Sequence, residues 1–279
     1  MKFKVARAGI HLFEEPIISG DKGSGTIFFS GCTMRCVYCQ NYEISHKGKG
    51  LLIDDDQLIA LMLDLQEQGV HNINLVTPSH YAKQLAKLLP KIKGKQLTIP
   101  IVYNTSSYEK VETLQLLDGL IDIYLPDLKY CDENISIKYS NAPNYYVIAT
   151  AAIAEMRRQQ PNDVIIDDIM RKGVIVRHLA LPGLTEDSKK VLDHLAQLDI
   201  SLYISIMGQY FPTQNVSDIK ELNRRLRKRE YNDLIEYFHN VGLCNGFLQD
   251  LSSAIEDYVP DFDLEILKAK INSLKLIKY

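Results

Sequence analysis

Six short apolar runs, separated by stretches of helical periodicity, constrain this chain more than any other feature of its sequence. They are Thr26-Ile27-Phe28-Phe29, Ile73-Asn74-Leu75-Val76, Thr98-Ile99-Pro100-Ile101-Val102-Tyr103, Leu120-Ile121-Asp122-Ile123-Tyr124-Leu125, Gly173-Val174-Ile175-Val176-Arg177 and Ile200-Ser201-Leu202-Tyr203-Ile204-Ser205-Ile206. After the first run, Asp54 can cap a helix with Gln57 at the reciprocal position; Leu58, Leu61, Met62 and Leu65 form its inner stripe and Gly69 is placed to end it. Helical patterns follow at 80–89, after the box Ser106-x-x-Glu109 (Val111, Leu114, Leu117), from about 132 to 170 with Pro143 at a helix start, and after a Thr185 cap (Val191, Leu192, Leu195). No hairpin signal lies between the runs, so the alternation predicts an α/β fold with a parallel sheet wound in one direction. A chain of 279 residues can bury such a core as one domain. Residues 1–25, punctuated by Pro16, Gly20, Gly23 and Gly25, read as an irregular leader with His11, Glu14 and Glu15 on a solvated loop. The last quarter reads as helical, with Leu222, Leu226, Leu234, Ile235 and Phe238 inward. Its basic run Arg224-Arg225-Leu226-Arg227-Lys228-Arg229 reads as a solvated face beside Glu221 and Glu230.

Parallel α/β folds gather ligands at the carboxyl ends of their strands, so the residues directly after each run carry weight. The second run is followed by Thr77-Pro78-Ser79-His80, the third by Asn104-Thr105-Ser106, and the fourth by Pro126-Asp127-Leu128-Lys129. The fifth carries Arg177-His178 and leads to Leu181-Pro182-Gly183, and the sixth gives Met207-Gly208-Gln209-Tyr210. The first ends in Ser30-Gly31-Cys32-Thr33-Met34-Arg35-Cys36-Val37-Tyr38-Cys39. Three thiolates on one loop are the soft ligands that iron–sulfur clusters and zinc prefer, and three leave open the position that a fourth protein ligand closes in a structural site. Cys131 and Cys244 stand alone and read as small buried apolar residues. His80 and His178 read as hydrogen-bonded spectators. Asp127 with Lys129, and Arg177 with a core carboxylate, are also open to reading as plain ion pairs. With 32 Lys+Arg against 35 Asp+Glu, no basic field argues for nucleic acid. The odd cysteine count and an N-terminus without an apolar signal core predict a reducing cytoplasm, and no run approaches the roughly 18–20 apolar residues of a membrane span.

Cys32-x-x-x-Cys36-x-x-Cys39 with an aromatic before the last cysteine resembles the signature of radical S-adenosylmethionine (SAM) enzymes. Gly25–Cys32, Cys39–Ser45, Asp127-Leu128-Lys129, Arg177, Leu181-Pro182-Gly183 and Met207-Gly208-Gln209-Tyr210 are similar to the pyruvate formate-lyase activating enzyme group. The resemblance implies a partial TIM barrel, (β/α)6, with a parallel sheet over residues 26–215, a leader at 1–25 and a helical extension at 216–279. It implies that Cys32, Cys36 and Cys39 hold a [4Fe-4S] cluster whose fourth iron binds SAM, and that Tyr38 packs on the adenine. Thr77-Pro78-Ser79 stands where the family carries Gly-Gly-Glu-Pro for the methionine amino group, leaving backbone carbonyls to accept those bonds. Asn104, Asp127 and Lys129 match positions around the methionine and ribose, and Arg177 suits a carboxylate. The implied chemistry is reductive: an electron from a flavodoxin-like or ferredoxin-like donor cleaves SAM to methionine and a 5′-deoxyadenosyl radical. The implied partner is a glycyl radical enzyme. A radical enzyme acting on a small molecule or RNA, and a non-catalytic metal-binding or electron-transfer protein, are the alternative readings.

Overall fold

The computed structural model describes residues 1–254 and 260–274. Its strands are β1 (Lys2–His11), β2 (Ser24–Phe29), β3 (Leu51–Asp54), β4 (Ile73–Val76), β5 (Ile101–Thr105), β6 (Ile123–Pro126), β7 (Val164–Ile166), β8 (Ile169–Leu179), β9 (Tyr203–Met207) and β10 (Gly246–Leu248). Its helices are α1 (Pro16–Ser19), α2 (Tyr42–Ser45), α3 (Asp55–Glu67), α4 (Ala82–Ile92), α5 (Val111–Gln115), α6 (Glu133–Ser140), α7 (Tyr145–Gln159), α8 (Thr185–Leu198), α9 (Lys228–Asn240) and α10 (Leu264–Ser273). All six expected strands form and run parallel in the order β2-β4-β5-β6-β8-β9, and β10 adds a seventh beyond β9. The sheet does not close between β10 and β3. Strands such as Ile73–Val76 are buried along their whole length, as a parallel sheet with a filled interior and helices outside requires.

Helix α3 forms where local chemistry dictates. Asp54 accepts from the Gln57 amide at 3.0 Å, Gln57 returns the bond to the Asp54 amide at 3.0 Å, and Leu58, Leu61, Met62 and Leu65 are buried. Elsewhere tertiary demands overrule local signals. Glu109 caps no helix; α5 starts at Val111 behind Lys110, and Glu109 turns into the core. Thr185 is the first residue of α8 rather than its cap, and α7 starts after Asn144, two residues past Pro143. The helical stretch expected to 170 stops at Gln159, and β7 and β8 form a hairpin whose Asp167 and Asp168 both have positive φ, as a tight primed turn requires.

The largest difference lies at the N-terminus. Residues 1–25 are not an irregular leader, because β1 pairs antiparallel with both β2 and β3. Helix α1 then carries Ile18 into an inner apolar cluster with Val102, Ile123, Leu125, Met170 and Ile175. This segment plugs one end of the barrel. The last quarter keeps α9 and α10 but also supplies β10. Among the described residues no helix is long and apolar enough to cross a membrane.

Candidate functional site

The cysteine loop begins where β2 ends. Gly31 turns the chain at φ +95°, a region a side chain rarely adopts, and its amide binds the Ile44 carbonyl at 2.8 Å. The loop then hangs on the end of α6: Arg35 N–H reaches the Ser140 carbonyl at 2.9 Å and Val37 N–H the Tyr139 carbonyl at 2.8 Å. Two of the sulfurs meet a hydroxyl, with Ser140 Oγ 3.0 Å from Cys36 Sγ and Ser45 Oγ 3.2 Å from Cys39 Sγ, while the Met34 amide lies 3.4 Å from Cys32 Sγ. All three cysteines line one cavity of about 250 Å³.

The other wall is a charge array on successive strand ends. Asp127 accepts from Arg177 Nε at 2.9 Å and from Lys129 Nζ at 2.7 Å; Arg177 Nη2 donates to Asn104 Oδ1 at 2.6 Å, and Nη1 lies 3.4 Å from Glu14. Burial works to raise the Asp127 pKa, but Arg177 and Lys129 overrule it and hold the carboxylate below its usual range. The plain ion pairs are thus real, and they face the same cavity as the thiols.

The sequence profile of the Radical SAM superfamily matches residues 26–195, more than half of the chain. The chain belongs to the radical SAM superfamily. It is 28% identical over 245 residues to an uncharacterized protein of Methanocaldococcus jannaschii, covering 84% of this chain and 66% of that one. It is 22% identical over 179 residues to the pyruvate formate-lyase-activating enzyme of Staphylococcus epidermidis, covering 60% and 65%. The crystal structure of Streptococcus suis SuiB bound to S-adenosylmethionine shares the fold at a TM-score of 0.55 and 12% identity, covering 81% of this chain and 50% of SuiB. The chain therefore spans about two thirds of the length of the curated relatives and half of SuiB.

Members of the radical SAM superfamily are enzymes of radical chemistry, and membership implies a [4Fe-4S] cluster and SAM. The residues present fit that demand. Burial first, and then the neighbouring sulfurs, push the Cys32 thiol up to about 12 and the Cys39 thiol up to about 11. Buried thiols crowded in this way ionise together only when a cation takes up the charge, and Lys129 already favours the ionised form of Cys32 and Cys39. Among the described residues no three metal-ligating side chains are already gathered round one point, so the loop supplies a ligand set rather than a preformed cage.

The remaining radical SAM expectations divide. Thr77, at φ +57°, lines the cavity, whereas the Pro78 and Ser79 carbonyls are engaged by the Tyr81 and Ala82 amides. Tyr38 does not line the cavity: it is buried beneath the loop, its hydroxyl against that of Tyr130 and its ring edge-on to Tyr210. Cys131 is half-buried and Cys244 is exposed, so neither is the fully buried apolar residue expected, and both stand apart from the loop. The solvated reading of Glu14 and Glu15 fails outright, because both carboxylates sit inside the barrel and line the cavity. Two acids directly before Pro16 and a pair of isoleucines were the available signal.

Glu109, also missed, braces the strand ends at Thr105 and Ser79. Its carboxyl accepts from Tyr103 Oη at 2.8 Å and Thr105 Oγ1 at 2.5 Å, and Ser79 Oγ joins both Thr105 and Glu109. Burial raises its pKa. Glu109→Ala strands three hydroxyls and is expected to cost about 2–4 kcal/mol in urea unfolding, against about 1 kcal/mol for Glu109→Gln. Equal costs for the two would remove Glu109 from this role.

His178 is the spectator expected. Nδ1 donates to the Leu128 carbonyl at 2.7 Å and Nε2 lies 2.9 Å from Ser188 Oγ, which ties β8 to the Asp127–Lys129 segment. Burial lowers its pKa from 6.5 to about 4. The folded state therefore refuses a proton that the unfolded chain accepts, so this stability is full above pH 6.5 and is lost as pH falls toward about 4. The loss amounts to about 3 kcal/mol. His178→Asn is expected to flatten that acid limb in denaturant titrations, and an unchanged limb would assign the loss elsewhere.

Proposed function

We propose that this chain cleaves SAM reductively and acts as the activase of a glycyl radical enzyme. The observation that carries the chemistry is the cavity itself, where Cys32, Cys36 and Cys39 and the Asn104, Asp127, Lys129 and Arg177 array converge at adjacent strand ends. When bound there, the cluster and SAM supply one-electron carbon–sulfur cleavage and hydrogen-atom abstraction. The chain's own part is binding. The three sulfurs ligate; Lys129 and the Ser140 and Ser45 hydroxyls stabilise them as thiolates; Arg177 and Asn104 offer donors and acceptors to the amino-acid end of SAM. The β1–α1 segment packs Ile18 into the inner apolar cluster and presents Glu14 and Glu15 to the cavity. A flavodoxin-like or ferredoxin-like donor delivers the electron, and the setting is cytoplasmic.

The activase assignment draws support from the Asp127-Leu128-Lys129 and Met207-Gly208-Gln209-Tyr210 motifs and from the relative named pyruvate formate-lyase-activating enzyme. Anaerobic reconstitution is expected to give about four irons per chain and reductant-dependent 5′-deoxyadenosine. A partner captured from extract then shows a glycyl radical by electron paramagnetic resonance. Zinc binding without 5′-deoxyadenosine sinks the enzyme reading; 5′-deoxyadenosine without a glycyl radical sinks the activase.

A further inference from the structure

A second cavity, of about 740 Å³, opens beside the first between the β1–α1 segment and the β9–β10 edge. Phe13, Glu14, Glu15, Gln209 and Gln249 line both, so the two share a wall. Its wall carries buried polar atoms without partners. Glu15 is 6% exposed and its Oε2 makes no hydrogen bond; Ser205, 1% exposed and in register with Arg177, leaves its Oγ unbonded, as Gln249 does its Oε1. Ser205 lies near enough to Glu15 to ease its burial, yet no hydrogen bond of normal geometry joins them. Buried acceptors left open in this way are costly unless something fills them.

The charge balance says what would fill them. Two cations, Arg177 and Lys129, face three carboxylates, Asp127, Glu14 and Glu15. The Arg177 guanidinium bonds to Asp127, Asn104 and Glu14 and acts on Glu15 only at longer range, so among the described residues Glu15 has no ion pair of its own and its Oε2 no hydrogen bond. Among the described residues no Lys, Arg or His lines this second cavity. One carboxylate in excess, a hydroxyl and an amide oxygen form an acceptor-rich socket for a positively charged N–H donor.

We infer that this second cavity binds a cationic nitrogen group of the hydrogen-donor substrate, a guanidinium or ammonium, with Glu15 as counterion and Ser205 and Gln249 as further acceptors. The inference rests on the reading that the adjoining cavity is where the radical is made. It adds a charge to the substrate: a basic side chain in the partner's loop, or a free amine.

The test is calorimetric binding to the full-length chain without reductant. The probes are butylguanidinium, its neutral isostere butylurea, and the blocked peptides Ac-Gly-Arg-Gly-NH2 and Ac-Gly-citrulline-Gly-NH2. At least one cationic probe is expected to bind about tenfold or more tightly than its neutral isostere. Glu15→Gln is expected to erase most of that preference, and Ser205→Ala to weaken it about threefold without a change of charge. The probe that binds better names the source, peptide or free cation. Equal binding of charged and neutral probes overturns the inference, as does a preference that survives Glu15→Gln in a variant that melts normally. Displacement of the cation by SAM also overturns it, because the socket would then belong to the cofactor. SAM cleavage without a cation preference sinks this inference alone; a cation preference without SAM cleavage sinks only the functional reading.

Discussion

Cys32→Ala, Cys36→Ala or Cys39→Ala is expected to lose the reconstituted iron and, with it, reductive cleavage of SAM by more than about a hundredfold. That is the upper end of what removing an outer partner of a metal ligand costs, and these residues are the ligands themselves. The same variants should keep their fold. At neutral pH the Cys32 and Cys39 thiols are protonated, since burial raises them to about 12 and 11, so in the iron-free chain they serve as small apolar groups. Alanine then removes one sulfur of packing, worth about 1 kcal/mol. Iron and acid-labile sulfide per chain, read beside a thermal melt, separate the two effects. Cys131→Ala and Cys244→Ala are the controls, because neither residue lines the cavity. Iron lost from the Cys131 variant would contradict the ligand assignment. Ser140→Ala, which removes the hydroxyl 3.0 Å from Cys36 Sγ, should fall between, with iron bound about ten- to a hundredfold more weakly.

What the sequence made legible was whatever its local chemistry decided. Strands such as Ile73–Val76 are buried throughout, and their apolar runs say so; Asp54 and Gln57 cap α3 through bonds three residues apart. The three cysteines could be read because a single loop holds them. What stayed hidden depends on distant partners. The strand β1 carries Lys2, Lys4 and Arg7 and reads as polar, and it becomes a strand because Leu51–Asp54 pairs with it from some fifty residues away. Ser106-x-x-Glu109 matches a helix cap, but Tyr103 and Thr105 draw Glu109 inward. Nor does an aromatic next to a cysteine disclose its own packing: Tyr38 is buried against Tyr130 and Tyr210, which come from distant strand ends. Glu14 and Glu15 looked solvated because charge predicts exposure unless a fold provides counterions, and the one that Glu14 pairs with comes from β8.

Asp127→Ala is expected to be the most damaging single change to stability, costing about 3–5 kcal/mol. The carboxylate is buried between Arg177 and Lys129, at 2.9 and 2.7 Å, and alanine leaves Lys129 in the barrel without its counterion and Arg177 with Glu14 alone, at 3.4 Å. For a chain of this size that loss lowers the melting temperature by roughly 10 °C. Removing a cation as well should recover part of it, so Asp127→Ala with Lys129→Met is expected to melt above Asp127→Ala alone. The sign with pH comes from the lowered Asp127 pKa: this stability is present above pH 3.8, the ordinary value, and disappears as acid protonates the folded state. Such an array is a poor way to stabilise a fold, since apolar residues of similar volume do as well without stranding charge. If stability were its purpose, the triple variant Asp127→Leu, Lys129→Met, Arg177→Leu, built together with Glu14→Gln and Glu15→Gln so that the carboxylates facing Arg177 are not stranded, would be a sound protein and would lose nothing else. The expected result is a melting temperature near or above that of the native chain together with no reductant-dependent 5′-deoxyadenosine. Such a variant that still cleaves SAM would mean that the charges on β6 and β8 serve the fold and not the site.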